Sequence, residues 1–93
     1  HISADEAHRI GLVNHVVAQD ELLDSCKEIG KIILKNGPKA IAISLQCIYE
    51  SFNKSIQDGL AVEVDAFAKL FSTDEAKEGM TAFVEKRKAN FRS

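Results

Sequence analysis

No apolar run in the 93 residues approaches the ~20 needed to cross a bilayer. The start also lacks the charged-then-apolar layout of a signal peptide. These absences argue against a helical membrane protein, and the expected location is the cytosol or an organelle interior. Positive charge is not in excess either: 12 basic residues stand against 14 acidic ones, a net charge of −2, so the broad basic field of a nucleic-acid or anionic-membrane binder is missing. Cysteine is scarce. Cys26 and Cys47 fall at apolar positions of different predicted helices, where free cysteine behaves as a small buried hydrophobe rather than half of a disulfide. There is no glycine-rich phosphate loop, no G-x-S-x-G elbow and no Cys/His pair in a motif context, so the chain shows no catalytic residue.

What is present suits a folded, helical chain. Apolar residues make up 45% and charged residues 28%, close to soluble globular averages, and no low-complexity tract argues for disorder. The length fits one domain over residues 1–93. Ser3-Ala4-Asp5-Glu6 reads as a capping box opening a short helix to about Ile10, which Gly11 ends in a left-handed position. Asp20 caps a second helix to about Lys35, with Leu22, Cys26, Ile29 and Ile33 on one stripe and Asn36-Gly37 as its stop. Pro38 suits the first turn of a third helix to about Asn53, carrying Ile41, Leu45, Ile48 and Phe52. Leu60, Val64, Phe67 and Phe71 predict a fourth from Ile56 to Phe71, with Ser55 and Gly59 as possible kink points. Ser72 or Thr73 caps the last, whose apolar side holds Ala76, Met80, Val84 and Phe91. The predicted class is all-α, with five helices and one short extended segment.

That segment, Leu12-Val13-Asn14-His15-Val16-Val17, has the β-branched content of a strand, yet nothing later supplies a second one. Two readings stay open: a strand whose partner lies elsewhere, or an extended connector packed on helices.

Candidate chemistry is sparse. His1, His8 and His15 recur every seven residues, but Gly11 breaks any helix that would align them, so no metal site is expected. Asp20-Glu21 and Asp74-Glu75 suit helix caps and dipole partners. Glu63, beside an apolar stripe, suits a structural salt bridge. The segment from Glu78 to Phe91 reads as one amphipathic helix with Phe83, Lys86 and Asn90 sharing a face. An aromatic ring beside an ammonium suits a nucleotide, the ring against the base and the lysine on phosphate. The same spacing also suits a core phenylalanine and a solvated lysine. Lys86, Arg87, Lys88 and Arg92 against Glu85 make a basic tip, which leaves the alternative of a stand-alone helical interaction module touching an acidic protein or nucleic acid.

Ser3 to Asn14, then Val16-Val17, Gly37-Pro38-Lys39-Ala40-Ile41, and Glu-Gly-Met-Thr-Ala-Phe-Val-Glu-Lys-Arg-Lys from Glu78 to Lys88, resemble in order the C-terminal portion of enoyl-CoA hydratases, of the crotonase superfamily. The resemblance covers nearly the whole chain. It implies a hydro-lyase of fatty-acid metabolism that adds water to a 2-enoyl-CoA thioester, without a prosthetic group. The catalytic glutamates, oxyanion-hole N–H groups and spiral core would belong to an N-terminal portion that precedes His1. It further implies a homo-oligomer, a trimer or a dimer of trimers, in which these helices pack on the core and cover acyl-CoA, with no nucleic-acid or membrane partner. Phe83 and Lys86 match the family's contacts to the CoA adenine and phosphate region. An isomerase or a dehydratase of the same superfamily is the neighbouring possibility.

Overall fold

The computed structural model describes residues 1–92, which are all-α: α1 Ala4–Arg9, a 3-10 turn Gln19–Glu21, α2 Leu22–Leu34, α3 Pro38–Ser51, α4 Ile56–Phe71 and α5 Asp74–Val84. The five predicted helices are the five observed. They fall into two units, the first from His1 to Ile32 and the second from Ile33 onward.

In the first unit, Ser3 caps α1 by accepting from the Glu6 N–H at 3.1 Å. The reciprocal half of the capping box is not made. Glu6 turns forward instead and binds Arg9 through both carboxylate oxygens, at 2.7 and 2.6 Å, because a guanidinium one turn on offers two donors in the geometry a carboxylate accepts. The Ile10 cap leads into Gly11 at φ 76°. Gly11 N–H then donates to His8 O and Leu12 N–H to Ala7 O, the paired bonds of a Schellman turn. Leu12–Val17 forms no strand among the described residues, an outcome that both readings of that segment share, since the first places the strand's partner elsewhere. Asp20 is not a cap. It lies inside the 3-10 turn, which Ala18 precedes without a side-chain bond.

In the second unit, α3 packs on α4 and α4 on α5. α2 ends at Leu34, just before the predicted Asn36-Gly37 stop, and Gly37 is the buried N-cap of α3, with φ −65° and ψ 129°. Having no side chain, it cannot cap, and Glu75 of α5 does so instead. The Glu75 carboxylate accepts from Lys39 N–H at 3.0 and 3.2 Å, placing negative charge at the positive end of α3. Thr73 is the cap of α5, accepting from Ala76 N–H, while the Ser72 hydroxyl donates back to Lys69 O at the end of α4. Ser55 caps α4 through Asp58 N–H, and Gly59 sits within that helix. On α4, Phe67 and Phe71 meet edge to face with centroids 5.1 Å apart.

Little apolar surface is covered. Among the described residues the only buried apolar side chains are Ala7 and Ala82, and the predicted stripes of α2, α3 and α4 stay largely open, Leu60 at 53% and Phe67 at 61%. Cys26 is exposed rather than buried, and both cysteines are free. The accessible area is 8018 Å². An open groove of about 610 Å³ runs between α3 and α4, lined by Cys47, Ile48, Leu60 and Phe67 among others. Glu63 borders it, exposed and without an ion pair among the described residues, which replaces the predicted salt bridge.

Candidate functional site

The closing helix is shorter than its periodicity predicts. α5 stops at Val84, and Glu85 is its C-cap. Lys86 follows at φ 54°, the one non-glycine residue with positive φ among those described. Its N–H donates to Phe83 O at 3.2 Å and Arg87 N–H to Ala82 O at 3.0 Å, so α5 ends in a second Schellman turn. A left-handed backbone costs a residue with a Cβ about 1–2 kcal/mol. Phe83 and Lys86 therefore do not share a helical face with Asn90. Lys86 stands just beyond the helix, exposed, and Phe83 on the last turn is 84% exposed rather than core.

Side chains brace this turn. Arg87 donates to both oxygens of Glu78, at 2.6 and 3.0 Å, to Glu85 at 2.6 Å and to Lys88 O at 3.2 Å. Asn90 N–H adds a third bond to Glu78, at 2.8 Å. The chain then folds back over α5, where a Cβ at Gly79 would stand 3.6 Å from the Phe91 ring, and the Arg92 guanidinium donates to Leu34 O, at the end of α2. Phe91 is thus part of a returning tail and not of the helix stripe. The basic tip is thinner than its sequence suggests: Arg87 and Arg92 are engaged, while Lys86 and Lys88 carry no ion pair among the described residues.

The Arg87 guanidinium first, and the Asn90 N–H second, hold the Glu78 carboxyl down to about 2. Glu78, then Glu85, raise Arg87 in turn. A carboxyl whose folded value lies below its unfolded one, near ~4.3, stabilises the fold above that value. The contribution disappears as pH falls from there through about 2. The Asn90 amide resonance is therefore expected to keep its native position at pH ~4 and to move only as pH approaches ~2. A midpoint in the ordinary carboxylate range would contradict the brace.

Among the described residues no three His, Cys, Asp or Glu side chains converge as metal ligands would. Likewise, no helix of the described chain is long and apolar enough to cross a membrane. The site offers an exposed ring, two unpaired ammonium groups and a fixed backbone turn, a surface suited to an anion with an aromatic part. Neither Glu78–Arg87 nor Glu75–Lys39 was legible beforehand, since spacings of nine and 36 residues follow no helical period.

In class, this is an all-α chain whose amphipathic helices leave apolar stripes uncovered. It belongs to the enoyl-CoA hydratase/isomerase family, which matches residues 1–93. It is 50% identical over 90 residues to a crotonyl-CoA hydratase of Syntrophomonas wolfei, covering 97% of this chain and 35% of that protein. With a short-chain-enoyl-CoA hydratase of Clostridium acetobutylicum the identity is 49% over 87 residues, covering 94% of this chain and 33% of the relative. A crystal structure of an enoyl-CoA hydratase from Bacillus anthracis superposes with a TM-score of 0.91 at 34% identity, over 98% of this chain and 35% of that one. The chain thus spans about a third of the length of the relatives it matches.

Proposed function

We propose that this chain is the C-terminal helical portion of an enoyl-CoA hydratase, packing on the enzyme's core, contributing to a homo-oligomer and covering part of the acyl-CoA site. The observation that carries the reading is the lysine at φ 54° beside an exposed phenylalanine. A left-handed turn favours glycine, and this chain uses one at Gly11. Keeping a lysine at the equivalent position costs stability and supplies a cation. Phe83 packs against the CoA adenine and Lys86 neutralises a CoA phosphate; both hold the substrate and neither moves a proton.

The parent reaction adds water across the double bond of a 2-enoyl thioester in fatty-acid metabolism. Carboxylates deliver the hydroxyl and proton while backbone N–H groups stabilise the enolate oxygen. Those groups belong to the N-terminal core, and no prosthetic group takes part. The family match and the uncovered stripes of α2 to α4 support the assignment of these helices to packing.

Purified chain mixed with crotonyl-CoA is expected to leave the ultraviolet absorbance of the conjugated thioester unchanged. Hydration that copurifies with the chain would place catalytic acids within residues 1–93 and overturn the assignment.

A further inference from the structure

Two helices of this chain end in the same hydrogen-bonded turn, and only one of them does so with glycine. At the end of α1 the left-handed residue is Gly11, and among the described residues no side chain bonds to Gly11 or Leu12. At the end of α5 it is Lys86, whose Cβ makes the same backbone unfavourable. Here alone the turn is braced. Arg87 grips Glu78 with two nitrogens, reaches Glu85 on the other side of Lys86 and binds Lys88 O, while Asn90 N–H closes onto the same Glu78 carboxylate. The residues flanking Lys86 are thereby tied to one acid in the body of α5. Four of the five N–H groups of Arg87 are engaged, so its charge is directed inward rather than toward a ligand.

We propose that Glu78 and Arg87 are positioning residues for Lys86: they hold the left-handed turn that projects its ammonium, so affinity for CoA depends on two side chains that do not touch it. The proposal rests on the reading of Lys86 as a CoA contact. Its physical content is a coupling. The brace matters because residue 86 carries a Cβ, and it becomes dispensable once that Cβ is removed.

Arg87→Gln, Lys86→Gly and the double variant test it, with amide hydrogen exchange of residue 87, whose N–H bonds Ala82 O, as one readout and CoA titration followed by NMR as the other. In Arg87→Gln exchange at residue 87 is expected to quicken roughly tenfold, while amides of α3 and α4 keep their protection. Adding Lys86→Gly is expected to return it to within about twofold of the parent, because glycine adopts the turn unaided. CoA affinity follows a different pattern: it falls roughly threefold to tenfold in Arg87→Gln and in Lys86→Gly, and the double variant regains the turn without regaining affinity. Should Arg87→Gln unfold altogether, the double variant still reports the coupling by recovering native helix content. Unchanged exchange in Arg87→Gln, or no rescue by glycine, overturns the brace whatever CoA does. Rescue of exchange with CoA affinity unaltered by Lys86→Gly, or with no CoA binding by the parent chain, overturns the CoA reading and leaves a brace that positions nothing.

Discussion

Gly37→Ala is expected to lower the unfolding free energy by about 1 kcal/mol, through a helix that does not contain residue 37. A Cβ at this position would stand 2.6 Å from Glu75 Oε2 and 3.3 Å from its carboxyl carbon. The backbone is not the obstacle, since φ −65° and ψ 129° suit alanine, and replacing glycine there should by itself stabilise by roughly 0.5 kcal/mol through the unfolded chain. The carboxylate is the end of a flexible side chain and will swing away, but doing so leaves Lys39 N–H without its acceptor and α3 without its cap. A lost cap costs about 1–2 kcal/mol and outweighs the entropy gain. The decisive comparison is the same substitution in a Glu75→Ala background, where no carboxylate remains to displace. There Gly37→Ala should be neutral or stabilising by denaturant titration. The same loss in both backgrounds would mean that Gly37 matters for some reason other than Glu75.

Light scattering is expected to give a mass above 10.2 kDa that rises with concentration. Stripes that amphipathic helices normally bury are open in both units, from Leu22 at 52% to Phe67 at 61%, and exposed apolar area on this scale drives association. Leu60→Lys and Phe67→Lys, at two side chains that line the groove between α3 and α4, should weaken that association markedly. Each substitution removes a side chain whose burial contributes about 1.5–3 kcal/mol, so roughly tenfold or more in the association constant is at stake. A mass that stays at 10.2 kDa at millimolar concentration would show that these stripes find no partner in a second copy.

Helix placement was readable because its signals are local. The 4-3-4 apolar spacing located α2, α3 and α4, α4 with both ends as predicted, and Pro38 and Gly11 marked a start and a stop by backbone geometry alone. The family resemblance rested on ordered motifs rather than on periodicity, and the match over residues 1–93 agrees with it. Where local signals competed, they misled. The amphipathic pattern from Glu78 to Phe91 continued past the true helix end because nothing in the sequence announces a left-handed lysine. The Glu of a plausible capping box, Glu6, went to Arg9, and Glu75, assigned to its own helix, capped another.

By itself, then, the sequence determined five helices and their apolar stripes, which depend on residues within a turn or two of each other, and the family, which depends on short motifs in a fixed order. Tertiary structure alone decided which carboxylate caps α3, where α5 stops, and which cations remain available at its end. Those outcomes depend on groups brought together across nine, 12, 36 and 58 residues, where hydrogen-bond geometry selects the partner. The exposed ring of Phe83 and the left-handed turn at Lys86 belong to that second kind.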